Sequence, residues 1–370
     1  MQPLVKSEID SLSLVIVQKP GLFHDQMHPD HIKEYLANGN PNPEYLLFDD
    51  LIDTNLAIKE HDEFTNIIKK ITGNEGCLYF NDLIRGLESD FQENIPIPLP
   101  NLIFTRDLAV TIGQKIVSTW ASKNVRNYEN QITKNLLNHH EFFKDTEIIH
   151  FSEIAPGISL EGGDVTVFNE DLVIIGLGER TSEESIKKLE PIIFSEGFNR
   201  IYAVELPKKR SMMHIDTVFT RISEEDVLYF PPLFDNQNPN IYNISANQSI
   251  SNVEPTQTNL IELLNLDGYK TNGIKCGGNT ELNQYREQWT DGANAFALKP
   301  GVAIGYNRNI HTIEELKKNN YKIIPASEFI SNFDNVNDEK IFITLESSEL
   351  CRGRGGPRCM TLPIKRCYNG

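Results

Sequence analysis

Four stretches of the chain repeat one pattern: a polar residue, a run of β-branched and apolar residues, a short turn, and a second apolar run. They are RDLAVTIGQKIVST from Arg106, GGDVTVFNEDLVIIG from Gly162, HIDTVFTRISEEDVLYF from His214 and GANAFALKPGVAIGY from Gly292. Each reads as a β-hairpin, because such residues suit a pleated surface and the turn residues separate two runs of strand length. The residues that open the hairpins are Asp107, Asp164, Asp216 and Asn294. In a fifth segment, RCMTLPI, Cys359 takes the corresponding place, and the early stretch LSLVIVQKP is the expected partner strand.

The openers are spaced by 57, 52 and 78 residues. The long third step contains DNQNPNIYNISANQSISNVEP, from Asp235, which reads as an inserted loop. Between hairpins, SEESIKKLEPIIFSEG (182–197) and HTIEELKKNN (311–320) have the apolar spacing of amphipathic helices. One supersecondary unit repeated in fixed order implies stacking around a shared core. If the five strands converge on one axis, three carboxylates and a thiol share a single cavity.

The thiol sits in an unusual setting. Around Cys359 the chain reads ELCRGRGGPRCMTLPIKR, crowding arginines and glycines onto a protein whose net charge is −17. Neighbouring cations favour the thiolate, the nucleophilic form, and glycines let a backbone approach a ligand or move. Cys351, Cys359 and Cys367 are spaced by eight, but no histidine lies among them and there is no CxxC pair, so a zinc site is not favoured. The acidic balance argues against a nucleic-acid partner, which needs a basic face, and is compatible with a cationic small substrate. No apolar run approaches a bilayer span of about 20 residues. The start lacks a signal-peptide pattern, and five cysteines make an odd count. Reduced thiols in a cytoplasm are therefore expected.

Three strings supply chemistry beside the thiol: PNLIFTRD (100–107), LEGGD (160–164) and MMHIDT (212–217). A carboxylate matches the planar fork of a guanidinium, and a histidine can exchange protons with a thiol and a leaving group. Cys359, His214, Glu161, Asp107 and Asp216 together suit binding and attack of a guanidinium carbon. A divalent metal held by His214, Asp216 and Glu161 is the competing reading.

The strings VKSEIDSLSLVIVQKPG, LFDD with KEHDEF, PNLIFTRD, VRNYE, EGGDV, GLGERT, MHIDTVF, REQWTDGAN and GRGGPRCMTLP, in this order, resemble the arginine deiminases of the guanidine-modifying (pentein) superfamily. The resemblance covers nearly the whole chain. It implies a five-bladed, pseudo-symmetric α/β propeller forming one catalytic domain over 1–370, with a reduced helical excursion at about 28–98. About thirty-five residues separate KEHDEF from PNLIFTRD, where typical bacterial relatives carry a helical subdomain. The implied activity is hydrolysis of free L-arginine to L-citrulline and ammonia, with no cofactor and no metal.

In that family the match of Cys359 attacks the guanidinium carbon, and the match of His214 protonates ammonia and then activates water. The matches of Asp107, Asp216 and Glu161 hold the guanidinium. Arg126, Arg180 and Asn101 match the clamp on the substrate α-carboxylate. The match of Arg354 lies on a mobile loop near the thiol, the match of Gly353 offers its backbone to the substrate, and Asp164 is counted with the substrate-binding residues. Met27 stands where a leucine is usual, and Gly178 where a serine is. The alternatives are an amidinotransferase, a hydrolase of another guanidino compound, or a non-catalytic arginine-binding relative. The expected partner is arginine, with no nucleic acid and no membrane; assembly into a homo-oligomer is left open.

Overall fold

The structure, a computed structural model, describes residues 2–85, 87, 98–332 and 340–368. All five expected hairpins form. They pair Ala109–Ile112 with Lys115–Ser118, Val165–Val167 with Leu172–Leu177, Phe219–Arg221 with Asp226–Tyr229, and Phe296–Lys299 with Val302–Tyr306. The fifth joins Leu362–Cys367 antiparallel to Ser11–Val17, so the two ends of the chain share one sheet. Gly113, at φ 59°, makes the tight turn of the first hairpin.

Each hairpin continues into a helix and a third strand parallel to its second. The third strands are Glu147–His150, Arg200–Glu205, Asn272–Lys275, Ile341–Leu345 and Cys77–Tyr79. A parallel pair needs a crossover, and here it carries a helix: Asn127–His139, Glu183–Ser195, Leu260–Leu266, Ile310–Lys318 or Thr54–Thr72. The helix expected over 182–197 spans Glu183–Ser195, its first turn capped by the Ser182 side chain on the Ser185 N–H. The helix expected over 311–320 is Ile310–Lys318.

The stretch from Asp235 departs from the reading as a loop. Asn240–Ser245 pairs antiparallel with Arg200–Glu205, and Thr256–Gln257 pairs with it in turn, widening that sheet to five strands. Ile241 and Ile244 are buried there, so a strand forms although asparagine and serine dominate the composition. Within the expected excursion at 28–98, the nineteen-residue helix Thr54–Thr72 buries Ala57, Phe64, Ile67 and Ile68 in the largest apolar cluster. Residues 86 and 88–97 of that excursion lie outside the described residues. Central strands such as Leu172–Leu177 bury consecutive residues, as expected when both faces of a sheet are covered.

The turns that open the hairpins touch one another in a closed ring. Asp107 Oδ1 accepts from Gly163 N at 3.2 Å, and Asp164 Oδ1 accepts from Ile215 N at 3.1 Å. The Asp216 carbonyl accepts from Asn294 Nδ2 at 3.0 Å, and Asn294 Oδ1 accepts from Arg358 N and Cys359 N at 3.1 and 3.2 Å. The Cys359 carbonyl closes the ring by accepting from Arg106 N at 3.1 Å.

Arg358 fastens the ring from beneath. Its guanidinium reaches Glu8 Oε2 at 2.7 Å, Asp216 Oδ2 at 2.8 Å and the Val165 carbonyl at 3.0 Å, all buried. Removing one side of such a group leaves uncompensated buried charge and typically costs about 3–5 kcal/mol. Arg358→Ala is therefore expected to lower unfolding stability by that order, read from denaturant melts. A loss below about 1 kcal/mol, the level of an exposed ion pair, would show that this cluster does not hold the ring.

Candidate active site

Three of the opening residues sit on one-turn 3-10 helices immediately ahead of a strand: Thr105–Asp107, Gly162–Asp164 and Ile215–Thr217. A side chain there leaves the sheet edge and points toward the neighbouring turns. The glycine of EGGD is required by this closeness. A Cβ on Gly163 would lie 2.5 Å from His214 Nδ1 and 2.9 Å from Asp107 Oδ1. The Gly163 backbone thus passes between an acid and an imidazole where no larger residue fits.

The cavity at this meeting point is small, about 20 Å³, and its wall includes Asn101, Asp107, Arg126, Glu161, Arg180, His214, Arg354 and Cys359. A larger surface cavity of about 460 Å³, lined by Ser223, Glu225, Lys299 and Lys340, contains none of these groups. The small cavity is the chemical one, since charge rather than volume concentrates there.

His214 bridges two acids. Its Nε2 lies 2.7 Å from Glu161 Oε2, and its Nδ1 lies 3.6 Å from Asp107 Oδ1. Burial works to lower its pKa, but Asp107, the hydrogen bond to Glu161 and the charge of Asp164 outweigh it and raise the value to about 9. Burial likewise works to raise Glu161. The Arg180 guanidinium, 3.3 Å from Glu161 Oε1, and His214 overcome it and hold the carboxyl below its usual range. Asp107 is also paired, its Oδ2 accepting from Arg126 Nη1 at 2.6 Å, while Arg126 Nε donates to Glu129 at 2.6 Å. Glu129, the last residue of the string VRNYE, is a further buried acid to which the sequence reading assigned no role.

The Cys359 sulfur lies 3.2 Å from Asn294 Nδ2 and 3.7 Å from Asp216 Oδ2. Burial pushes its thiol well above the ordinary value, and Asp216, Asp107 and Asp291 push it further. The basic stretch around Cys359 does not reverse this. Arg358 is spent on Glu8 and Asp216, and Arg354 lies over the Trp289 ring at 3.8 Å while donating to the Trp289 carbonyl at 2.7 Å.

The expectation that three opening carboxylates share the cavity needs correction. Asp107 lines it and Asp216 reaches the thiol, whereas Asp164 turns away to clasp Ile215 N. Asp164 is fully buried, its Oδ2 has no hydrogen-bond partner, and burial raises its pKa to about 7. Gly353 is also outside the cavity wall, packed where a Cβ would lie 2.5 Å from Phe48. Asn101 is at the wall but donates its amide to the Leu46 carbonyl at 2.7 Å. Met27 packs half-buried against the apolar cluster that contains Cys359. A Cβ on Gly178 would meet Leu206 at an ordinary 3.5 Å, so no close approach demands glycine there.

Four more wall residues had no role assigned from the sequence: Leu47, Phe104 and Met213 lie inside the strings LFDD, PNLIFTRD and MMHIDT, and Arg210 lies outside every string. Met213 adjoins His214 in sequence, but Leu47 and Arg210 come from separate loops, which only folding joins. Leu47 is held at φ 58° and its carbonyl accepts from Arg210 Nη2 at 3.3 Å. For the competing metal reading, the groups that converge are Asp107, Glu161 and His214, not the trio containing Asp216. Arg126 and Arg180 already neutralise both acids of that set.

Comparison with known proteins places this geometry. Residues 88–366 match the family model for arginine deiminase. The chain is 30% identical to an arginine deiminase of Mycoplasma capricolum, over 98% of this chain and 96% of that one. An arginine deiminase of Listeria monocytogenes is 31% identical, over 98% and 97%. That of Borrelia garinii is 36% identical over 73% of this chain and 62% of its own. Among solved structures, the N-terminal domain of ArgZ, an arginine dihydrolase from cyanobacteria, superposes with a TM-score of 0.59 at 14% identity, covering 96% of this chain and 98% of that one. SxtG, an amidinotransferase from Microseira wollei, gives 0.59 at 16% identity, over 99% and 98%. At such identities the structures establish a shared α/β fold and nothing finer. The family match and the near full-length relatives carry the conclusion: the chain belongs to the arginine deiminase family.

Proposed function

We propose that this protein hydrolyses free L-arginine to L-citrulline and ammonia, through an intermediate in which the guanidinium carbon is bonded to Cys359. The observation that carries the reading is one buried cavity walled by a thiol, an imidazole and two carboxylates, with Asp216 beside the thiol. The five three-stranded units then read as the blades of a pseudo-fivefold α/β propeller whose axis runs through that cavity. Free thiols and the family membership support a cytoplasmic location.

Substrate binding places a cation among groups that already carry opposing charge. Asp107, Glu161 and Asp216 match a guanidinium in charge and planarity. Arg126, Arg180 and Asn101 stand at the same wall for an α-carboxylate. At about 20 Å³ the cavity has room on the order of a single water, so arginine enters only when the wall opens. Leu47 and Arg354, both in left-handed backbone conformations, are part of that wall.

The arriving guanidinium supplies the positive charge that the thiol lacks in the free protein, and so favours its ionisation. The thiol proton leaves toward Asp216, and the sulfur attacks the guanidinium carbon. As the C–N bond breaks, protonated His214 gives its proton to the departing nitrogen, and ammonia leaves. Water then attacks the same carbon and gives its proton to His214. The C–S bond breaks, restoring the sulfur and releasing citrulline.

The direct test is incubation with L-arginine: citrulline and ammonia are expected, and ornithine with urea would indicate an amidinohydrolase instead. Cys359→Ser is expected to abolish turnover. Acid-quenched wild type should carry one amidino group on Cys359 by peptide mass spectrometry, and label on Cys351 or Cys367 would overturn the assignment. Exhaustive chelation should leave the rate unchanged; loss restored by a divalent ion would favour the metal reading. His214 must be protonated to assist departure of ammonia. Its raised pKa keeps the proton through neutral pH and releases it as pH rises through about 9. The kcat/KM profile, which reports the free protein, should therefore fall on its alkaline side near that value, and a fall already complete at the ordinary histidine value of about 6.5 would contradict the pairing with Glu161.

A further inference from the structure

Among the opening residues, three are aspartates and one is the thiol; the remaining one, Asn294, is neutral. Its amide is completely used. Oδ1 accepts from two backbone N–H groups, Arg358 and Cys359, which fixes the orientation of the amide because only oxygen can face two donors. The two hydrogens of Nδ2 then point the other way, one to the Asp216 carbonyl at 3.0 Å and one to the Cys359 sulfur at 3.2 Å. Asn294 is fully buried, and its own N–H donates to the Asp291 carbonyl at 3.0 Å. A Cβ on Gly356 would lie 2.6 Å from both Asn294 O and Oδ1, so the glycine before Pro357 keeps this side chain in place.

We propose that Asn294 is the hydrogen-bond donor that steadies the Cys359 thiolate, and that an amide rather than an acid stands here because an acid has no such donor. The clasp alone does not need an amide: Asp107 and Asp164 clasp their neighbours with a carboxylate oxygen. What an aspartate lacks is the N–H directed at sulfur, and it would add another negative charge beside a thiol that already faces Asp216, Asp107 and Asp291. Asn294 touches the reacting atom, so its part in the reaction is direct. The inference deepens the proposed function, since it rests on Cys359 as nucleophile, but its test needs no arginine.

The test is the ionisation and alkylation of Cys359 in the full chain. Thiolate absorbance is titrated with pH in wild type, Asn294→Asp and Asn294→Ala, each corrected with the matching Cys359→Ser protein. Iodoacetamide labelling of the Cys359 peptide is followed by mass spectrometry at the same alkaline pH. A hydrogen bond to a charged group has a strength equivalent to at least a tenfold effect on an equilibrium. The thiolate signal should therefore move to higher pH by about one unit or more in both variants, with alkylation slowed at least about tenfold and more for Asp than for Ala. Thermal melts identify a variant that does not fold. Asn294→Ala decides if the aspartate variant fails, and Asn294→Ser, which keeps a smaller polar group, decides if the alanine variant also fails. A thiolate titration coinciding with wild type in the folded variants, with alkylation within about twofold, would overturn the inference. Loss of the shift together with intact arginine turnover by Cys359→Ser would instead locate the failure in the proposed function.

Discussion

Everything in this protein depends on the buried ring of hydrogen bonds that joins five turns at the ends of five hairpins. Backbone N–H groups at the centre of a folded chain have no water to bond, and an unmet donor there costs about 1–3 kcal/mol. Asp107, Asp164 and Asn294 meet that demand for the next turn with a side-chain oxygen, and the carbonyls of Asp216 and Cys359 complete the circuit. The pairing of Ser11–Val17 with Leu362–Cys367 lets the ring close, because the first turn and the last can then meet. Arg106 bonds to Cys359 across some 250 residues of chain as a consequence.

Building the ring from acids concentrates negative charge in a dry interior, and the arginines answer it. Arg126 serves Asp107 and Glu129, Arg180 serves Glu161, and Arg358 serves Asp216 and Glu8. The outcome separates the two titrating groups that matter. His214 lies between acids and keeps its proton, while Cys359 faces acids without a free cation and keeps its own. Opposite environments for neighbouring titratable groups are how a site divides acid and nucleophile roles. Under the proposed mechanism, a cationic substrate tips the balance.

The arginines around Cys359 illustrate how sequence proximity misleads. In the chain they look like activators of the thiol. In the fold, Arg358 points beneath the ring, Arg352 pairs with Asp50 at the surface, and Arg354 stacks on Trp289. The group that does donate to the sulfur, Asn294, lies 65 residues away and carries no charge.

The chain alone determined the hairpins, the helices over 182–197 and 311–320, and the five residues brought to the openings, because strand periodicity and capping are local and were readable from neighbours. It also determined the family, since ten motifs keep their order. The third strands and Asn240–Ser245 were not read from the chain: what each pairs with is set by distant residues, and Asn240–Ser245 is a strand in spite of its composition because Ile241 and Ile244 are buried against its neighbours. Tertiary structure alone decided that Asp164 clasps rather than lines the cavity, that Glu129 shares Arg126 with Asp107, that Arg358 neutralises Asp216 and Glu8, and that Asn294 faces the sulfur. The physical reason is range. A backbone conformation answers to residues a few positions away, whereas a pKa or a hydrogen-bond partner in a buried ring answers to whatever the other four turns place within about 4 Å.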